Sequence, residues 1–255
     1  MTSSNGGHPR FHFSGARVLV TGGTSGIGAA TAAAYRDAGA EVTITGTRGG
    51  PADYDGGLDG YRYLQLNSED PASIDAVAAA CPQLDIFVNN GGISLVSTGS
   101  DEHDPAIFDR TLSMLLIGPF RLAKKLESAL TASSLAGGAS IVSVASMSSF
   151  FGIGMLPAYG SAKTGLVGLT RSLAVAWGAK NIRVNAVAVG LTHSRMTADT
   201  IAQPEWGGHT LARTPLGRHG TPEDIAGPIL FLTSSAAAWI TGQTLPIDGG
   251  YSITG

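Results

Sequence analysis

The sequence predicts a doubly wound α/β fold: a seven-stranded parallel sheet with helices on both faces. Two observations carry it. From Arg17 onward, short β-branched runs alternate with Ala-rich helical segments, the order that lays helices against both faces of a parallel sheet. Hydrophobic residues make up 43% of the 255 and charged residues 14%, enough apolar side chains for a large core and too few charges for a disordered chain. That length allows one or two domains. No Pro/Ser-rich linker, charge run or internal repeat divides the chain, so residues 14–255 are expected to form a single domain. Residues 1–13 are polar with two glycines and lack an apolar h-region, and are expected to be a disordered tail rather than a signal peptide.

The expected strands are 17–21, 41–45, 61–66, 84–89, 140–145, 182–187 and 243–247, each rich in Val, Ile, Leu, Tyr or Thr. The first helix is the Ala-rich stretch ending at Gly39. Later helices start at Asp70-Pro71, Asp104-Pro105 and Thr221-Pro222, where a capping side chain precedes a Pro at the first helical position. Thr221-Pro222-Glu223-Asp224 also has capping-box spacing. Residues 192–219 form the least regular stretch, too long for an ordinary connection and therefore a candidate lid.

Composition excludes several functions. A formal net charge of −3 with scattered Lys and Arg offers no basic field for nucleic acid. No apolar stretch is long enough to span a bilayer, so a soluble, cytoplasmic protein without a membrane partner is expected. Cys81 is the single cysteine, which forbids an intramolecular disulfide and suits a reducing compartment; beside Pro82 it reads as packing or surface rather than a nucleophile. The six histidines lack zinc-ligand spacing, and no metal is expected.

The first strand runs into Thr21-Gly22-Gly23-Thr24-Ser25-Gly26-Ile27-Gly28. Glycines at 22, 26 and 28 allow a tight turn and close approach to a pyrophosphate held on the helix N-terminus. The spacing is neither G-x-G-x-x-G nor a P-loop, but its position between strand and helix points to a nucleotide. At the end of the second strand, where dinucleotide folds meet the adenosine ribose, lie Gly46-Thr47-Arg48. An acid there favours the 2′-hydroxyl of NAD and an Arg the 2′-phosphate of NADP. Residues 42–51 contain no acid and Arg48 is their only charge, so NADP(H) is preferred, with NAD(H) the alternative.

Tyr159 and Lys163 stand four apart, on one face of a helix, and Ser146 ends the apolar run Ile141-Val142-Ser143-Val144-Ala145. A free Tyr titrates near ~10, and a neighbouring cation lowers that value. The phenol is then a candidate acid or base toward a carbonyl or alcohol oxygen, with Ser146 holding the same oxygen.

Taken together, these residues resemble the compact short-chain dehydrogenase/reductases over nearly the whole chain, from about residue 13 to 252. The turn at 21–28 matches that family's cofactor turn, and Asn89-Asn90-Gly91-Gly92 is similar to its Asn-Asn-Ala-Gly segment. Ser146, Tyr159 and Lys163 fall on its catalytic triad, and Asn185 has its usual place before the end of the sixth strand. Pro215-Leu216-Gly217-Arg218, Pro222-Glu223-Asp224 and the stretch from Thr241-Gly242-Gln243 to Asp248-Gly249-Gly250 resemble its C-terminal signature. The resemblance implies a Rossmann-type sheet of order 3-2-1-4-5-6-7, a homotetramer (or homodimer), and hydride transfer between a nicotinamide and a small carbonyl or secondary alcohol. It places cofactor contacts at Gly22, Thr24, Ser25, Gly26, Ile27, Gly28, Thr47, Arg48, Asn67, Ser68, Asn90, Gly91, Tyr159, Lys163 and Gly190, with Thr192 or Ser194 as the donor to the carboxamide. It also gives Lys163 the ribose and a lowering effect on Tyr159.

Three positions depart from the family pattern. Asn67-Ser68 replaces Asp and an apolar residue, and Asn keeps an acceptor for adenine. Val189-Gly190 stands for Pro-Gly. Leu115 stands where many members carry an Asn that holds a relay water, and leucine offers no hydrogen bond. A second class of function follows from Leu115: a catalytically impaired nicotinamide-binding sensor or assembly subunit. A third keeps the triad for dehydration or epimerisation. Met147, Phe150, Phe151, Met155 and Leu156 beside the triad, with Met196 and Trp206 in the lid, suit a lipophilic or cyclic ketone.

Overall fold

A computed structural model describes residues 11–254. Seven parallel strands form one sheet of order β3-β2-β1-β4-β5-β6-β7, the order that the resemblance implies. The strands are β1 (Arg17–Val20), β2 (Glu41–Gly46), β3 (Arg62–Gln65), β4 (Ile86–Asn89), β5 (Ala139–Ser146), β6 (Ile182–Val189) and β7 (Thr244–Ile247). All seven fall on expected segments. Edge strand β3 is shorter than its run, whereas β5 and β6 extend beyond theirs because they pair with each other from Ala139↔Ile182 to Ser146↔Val189.

Helices α1 (Gly26–Asp37), α2 (Pro71–Ala79), α3 (Pro105–Leu112), α4 (Gly118–Thr131), α5 (Pro157–Trp177), α6 (Ala198–Ala202), α7 (His209–Arg213) and α8 (Pro222–Thr233) connect them. The three expected starts are present. Asp70 accepts from the Ala72 N–H and Asp104 from the Ala106 N–H, and Thr221 and Asp224 close a capping box.

Strand periodicity divides the core between the two faces. Leu19, Phe87, Ile141 and Val184 point to one, against Ile74 of α2, Leu122 and Leu126 of α4, and Leu173 of α5. Their neighbours Val18, Val20, Ile86, Val88, Val142 and Val187 point to the other, against Tyr35 of α1 and Ile225 and Ile229 of α8. Each such large side chain, once buried, contributes about 1.5–3 kcal/mol. Cys81 is buried in the first cluster, and desolvation pushes its thiol up, as packing rather than reactivity requires.

Of the expected tail, residues 1–10 lie outside the described residues. Its inner boundary needs correction. Phe13 is buried, meets Tyr35 edge-on at 5.0 Å and donates its N–H to the Ala38 carbonyl. An aromatic side chain that fills the floor of α1 belongs to the packed domain.

The strand order reverses between β1 and β4, so their C-terminal ends open a crevice at that end of the sheet. The glycine turn, Asn89-Asn90, Ser146 and Val189-Gly190 all emerge there. The stretch expected to be irregular holds α6, a π-turn at Pro204–Gly208 and α7. Its two ends are joined: Thr192 bridges Gly220, His193 donates to the Gly220 carbonyl at 2.9 Å, and Gly220 donates to that of Leu191 at 3.0 Å.

Candidate active site

Close packing gives the glycine turn its shape. Gly22 and Gly26 have left-handed φ values of +65° and +54°. Gly28 is fixed by space instead: a Cβ there would lie 2.2 Å from the Gly22 carbonyl oxygen and 2.5 Å from the Asn90 amide nitrogen. Asn90 locks the turn by donating to the carbonyls of Thr21 (3.0 Å) and Gly22 (3.3 Å), while the Thr21 hydroxyl accepts from the N–H groups of Asn90 and Gly91. Ser25 occupies the N-cap of α1 without bonding its N–H groups, and the first turn of α1 carries no acid. Thr24, Ser25 and Ile27 thus border a helix N-terminus whose donors are free of side-chain caps, which suits an anion.

The corner at the end of β2 is more crowded than its sequence suggests. The Tyr54 hydroxyl accepts the Arg48 backbone N–H at 3.0 Å and lies 3.3 Å from the Tyr63 hydroxyl. A Cβ on Gly46 would strike that oxygen at 2.2 Å. Burial pushes the phenol up, but hydrogen bonds from Tyr63, the Arg48 backbone, Thr47 and Thr24 outweigh it and hold Tyr54 below the usual value. The Arg48 guanidinium lies over the Tyr54 ring, 4.9 Å from its centre, and donates to the Asp53 carbonyl. Asn67 caps its own turn, its side-chain oxygen accepting from the Glu69 N–H at 3.0 Å. The Ser68 carbonyl packs under Gly118, at the start of α4.

On the other side of the crevice stand Ser146, at the end of β5, and Tyr159 and Lys163, on one face of α5. The Lys163 nitrogen is 5.6 Å from the Tyr159 ring centre. Lys163 is 7% exposed and donates to the Val144 carbonyl at 2.7 Å. An ammonium has three donors. The two left over are buried polar groups, an arrangement that a ribose diol would satisfy. Desolvation lowers Lys163 to about 8.

Tyr159 departs from the expectation that its neighbour lowers its pKa. Burial pushes the phenol up to about 12, with the Ser146 hydroxyl pulling it down and the Glu102 carboxylate adding to the rise. Glu102 was not legible as a site residue. It is 1% exposed, accepts the Tyr159 backbone N–H at 2.8 Å and faces the Ser94 hydroxyl at 3.4 Å. Its charge therefore holds the first turn of α5 while opposing ionisation of the phenol. No local motif marks it, because the contact spans 57 residues.

Leu115 lies in a π-helical segment, Ser113–Ile117, packed with Leu95, Met114, Ala162 and the Tyr159 ring. Its Cδ2 occupies the space over Gly92 and would be 2.2 Å from a Cβ there. Position 115 offers its surroundings only apolar surface.

The loop after β6 distinguishes its two hydroxyl candidates. Thr192 is buried, donates to the Gly190 carbonyl at 3.0 Å and faces Gly220. Ser194 is half-buried and lies over the glycine turn, its Cβ 3.5 Å from the place of a Cβ on Gly26. Gly190 packs against Asp248, which leaves no room for a side chain. Two further lid contacts went unforeseen. Arg195 donates to the Ser25 hydroxyl at 2.9 Å, and the Met196 sulfur accepts the Ser94 N–H at 3.3 Å.

The apolar side chains read as a lining do not share one environment. Met147 is buried in the fold, whereas Phe150, Met155 and Trp206 are exposed and Phe151 meets Tyr251 at a tilt, ring centres 5.9 Å apart. A cavity of about 150 Å³ lies between α7, α8 and the end of β7 and touches none of Ser146, Tyr159 and Lys163. Among the described residues there is no group of three His, Cys, Asp or Glu side chains placed to hold a metal, and no helix long and apolar enough to cross a membrane.

The Lys163 pKa gives a pH prediction. Below about 8 the ammonium is charged and above it is neutral. For the carbonyl reduction that the resemblance implies, kcat/KM at saturating reduced cofactor should therefore hold near neutrality and fall as pH rises past that value. Lys163→Met should be slower and lack this limb. A wild-type profile that stays level well beyond pH 8 would show that Lys163 does not titrate in the reaction.

Comparison with known proteins agrees with this geometry. A family model described as enoyl-(acyl carrier protein) reductase matches residues 22–252. The chain is 38% identical over 242 residues to cis-4-hydroxycyclohexanecarboxylate dehydrogenase of Sinomonas cyclohexanicum, covering 92% of this chain and 95% of the relative. It is 36% identical over 249 residues to the 3-oxoacyl-(acyl-carrier-protein) reductase FabG of Escherichia coli K12, covering 94% and 98%. Among solved structures, a Beutenbergia cavernae protein described as an NAD(P)-dependent gluconate 5-dehydrogenase, with NADP bound at low occupancy, superposes with a TM-score of 0.85 at 33% identity, covering 96% of this chain and all of the other.

Proposed function

The chain belongs to the short-chain dehydrogenase/reductase family of oxidoreductases, and from that premise we propose that it is an NADP(H)-dependent enzyme interconverting a carbonyl and a secondary alcohol. The observation that carries this reading is the convergence of Ser146, Tyr159 and a buried Lys163, with two of its three donors unengaged, across the crevice from an uncapped glycine turn. When bound, the nicotinamide supplies or accepts the hydride. The remaining chemistry belongs to the chain. Tyr159, raised to about 12, is protonated at neutral pH and donates its phenolic proton to the carbonyl oxygen as charge develops there. Ser146 orients that oxygen with a hydrogen bond. Lys163 turns its free donors to the ribose, and its charge stabilises the phenolate left after proton transfer. The glycine turn takes the pyrophosphate, Asn67 and Ser68 border the adenine, and Ser194 rather than the enclosed Thr192 meets the carboxamide.

Coenzyme choice follows from Arg48, the one charge at the end of β2 before Asp53. Arg48→Glu should reverse it, because a carboxylate repels a 2′-phosphate and accepts from a 2′-hydroxyl. The measure is kcat/KM with NADPH and with NADH for both proteins. A wild type that already prefers NADH would end the NADP(H) assignment. Tyr54 supports that second reading, since its hydroxyl already occupies the Arg48 N–H.

The exposed Phe150, Met155 and Trp206 support a lipophilic or cyclic ketone, and the substrate named for the Sinomonas relative carries a cyclohexane ring. A homotetramer, or a homodimer, is the assembly we carry over from the resemblance. Exposed Val175, Trp239 and Ile253 support it as apolar surface in want of a partner. The buried thiol of Cys81 suits a cytoplasmic location. The direct test of the whole reading is oxidation of NADPH by the purified protein against a panel of ketones.

A further inference from the structure

Arg195 is an exposed arginine at the root of the lid, and among the described residues it forms no ion pair. Its one side-chain hydrogen bond there runs to the Ser25 hydroxyl, 170 residues away in sequence. Ser25 is the N-cap of α1, yet its hydroxyl caps nothing, and no acid lies in the first turn. A guanidinium carries five donors in a planar fork, of which Ser25 engages one. The others stand beside the uncapped N-terminus of α1, where backbone N–H groups and the helix dipole already favour an anion.

The lid is placed for this contact by its own anchors. Thr192 and His193 tie its start to Gly220, and the His219 ring nitrogen lies 3.0 Å from the Gly207 carbonyl. Met196, the next residue, reaches the opposite wall of the crevice at Ser94. Arg195 and Met196 thus span the crevice from the glycine turn to the loop after β4.

We propose that Arg195 is a pyrophosphate-binding residue carried by the lid, bridging Ser25 and the bound dinucleotide so that cofactor retention and lid closure are one event. This inference rests on the dinucleotide reading above. Charge-assisted hydrogen bonds from guanidinium to phosphate oxygens are about twice as strong as neutral ones. Loss of this arginine should therefore weaken cofactor binding on the order of ten-fold.

The experiment compares wild type, Arg195→Met and Arg195→Lys by calorimetric titration with NADPH, NADH and adenosine 2′-monophosphate. Arg195→Met should lose affinity for NADPH and NADH by the same factor and keep that for the monophosphate, which lacks a pyrophosphate. Arg195→Lys should fall between, because a point charge cannot form the fork. The second readout is cleavage by chymotrypsin at Trp206 and Leu211, both exposed in the lid. NADPH should slow it in wild type and fail to do so in Arg195→Met. A loss confined to NADPH would assign Arg195 to the 2′-phosphate and overturn the proposal, as would unchanged affinities or unchanged protection. A wild type that binds neither dinucleotide would instead remove the reading of function on which the proposal stands.

Discussion

Replacing Tyr159 with Phe is expected to lower turnover at least ~100-fold, the usual worth of a general acid, and to leave NADPH affinity almost unchanged. The ring packs with Leu95, Met114, Leu115 and Ala162, and Phe keeps that packing. What disappears is the phenolic proton and the hydroxyl on which Ser146 acts. Lys163 keeps its bond to Val144, and the glycine turn follows a different strand, so every cofactor contact we assign other than that of the Tyr159 hydroxyl itself is preserved. Turnover and NADPH binding should be measured on the same preparation. Near wild-type turnover would show that the proton comes from elsewhere.

Gly28→Ala should act at the other end of the site and with the opposite signature. Its new methyl would sit 2.2 Å from the Gly22 carbonyl oxygen, a backbone atom that Asn90 holds in place. The turn has to open, at an overpacking cost of about 1–3 kcal/mol, and the N–H groups it presents to the pyrophosphate lose their alignment. We expect NADPH binding weakened at least ~10-fold, since each ~1.4 kcal/mol is a factor of ten, together with a lower melting temperature. Gly178→Ala is the control: Gly178 has helical angles (φ −55°, ψ −43°) and open space around its Cβ position. It should leave both quantities unchanged. Equal NADPH affinity in Gly28→Ala and wild type would show that the turn does not hold the cofactor.

What the sequence made legible and what it hid divide along one physical line. The strands were readable because β-branched runs between helix caps are local signals, and Asp70, Asp104 and Thr221 cap the helices they announce. The glycine turn was readable for the same reason, since its chemistry is written in eight consecutive residues. Contacts between distant segments were not. Glu102 reaches Tyr159, Tyr54 fills the corner beside Gly46, and Arg195 crosses to Ser25, and none of these pairs has a spacing that a motif records.

The Tyr159 pKa shows the consequence. Four-residue spacing to Lys163 suggested a lowered value, but the direction is set by burial, with a carboxylate from a separate loop adding to it. The expected tail boundary failed similarly. Phe13 stands in a polar stretch and yet packs on Tyr35, a partner that only the folded chain supplies. Position 115 is a case where the sequence was informative and the structure extends it. Leu115, at the position where the resemblance implies a hydrogen-bonding residue, is packed tightly over Gly92 in a π-helical segment.

The central claim, that Ser146, Tyr159 and Lys163 reduce a carbonyl with NADPH despite that leucine, meets its most direct test in the wild-type protein. NADPH deuterated at the transferable position is incubated with the enzyme and a broad panel of lipophilic and cyclic ketones. Cofactor oxidation is followed optically and the products by mass spectrometry. The account predicts that at least one ketone is converted to an alcohol carrying one deuterium per NADPH consumed, and that Tyr159→Phe abolishes the conversion. Tight NADPH binding with no deuterium transfer to any ketone would contradict it and favour a protein that senses the cofactor without using it.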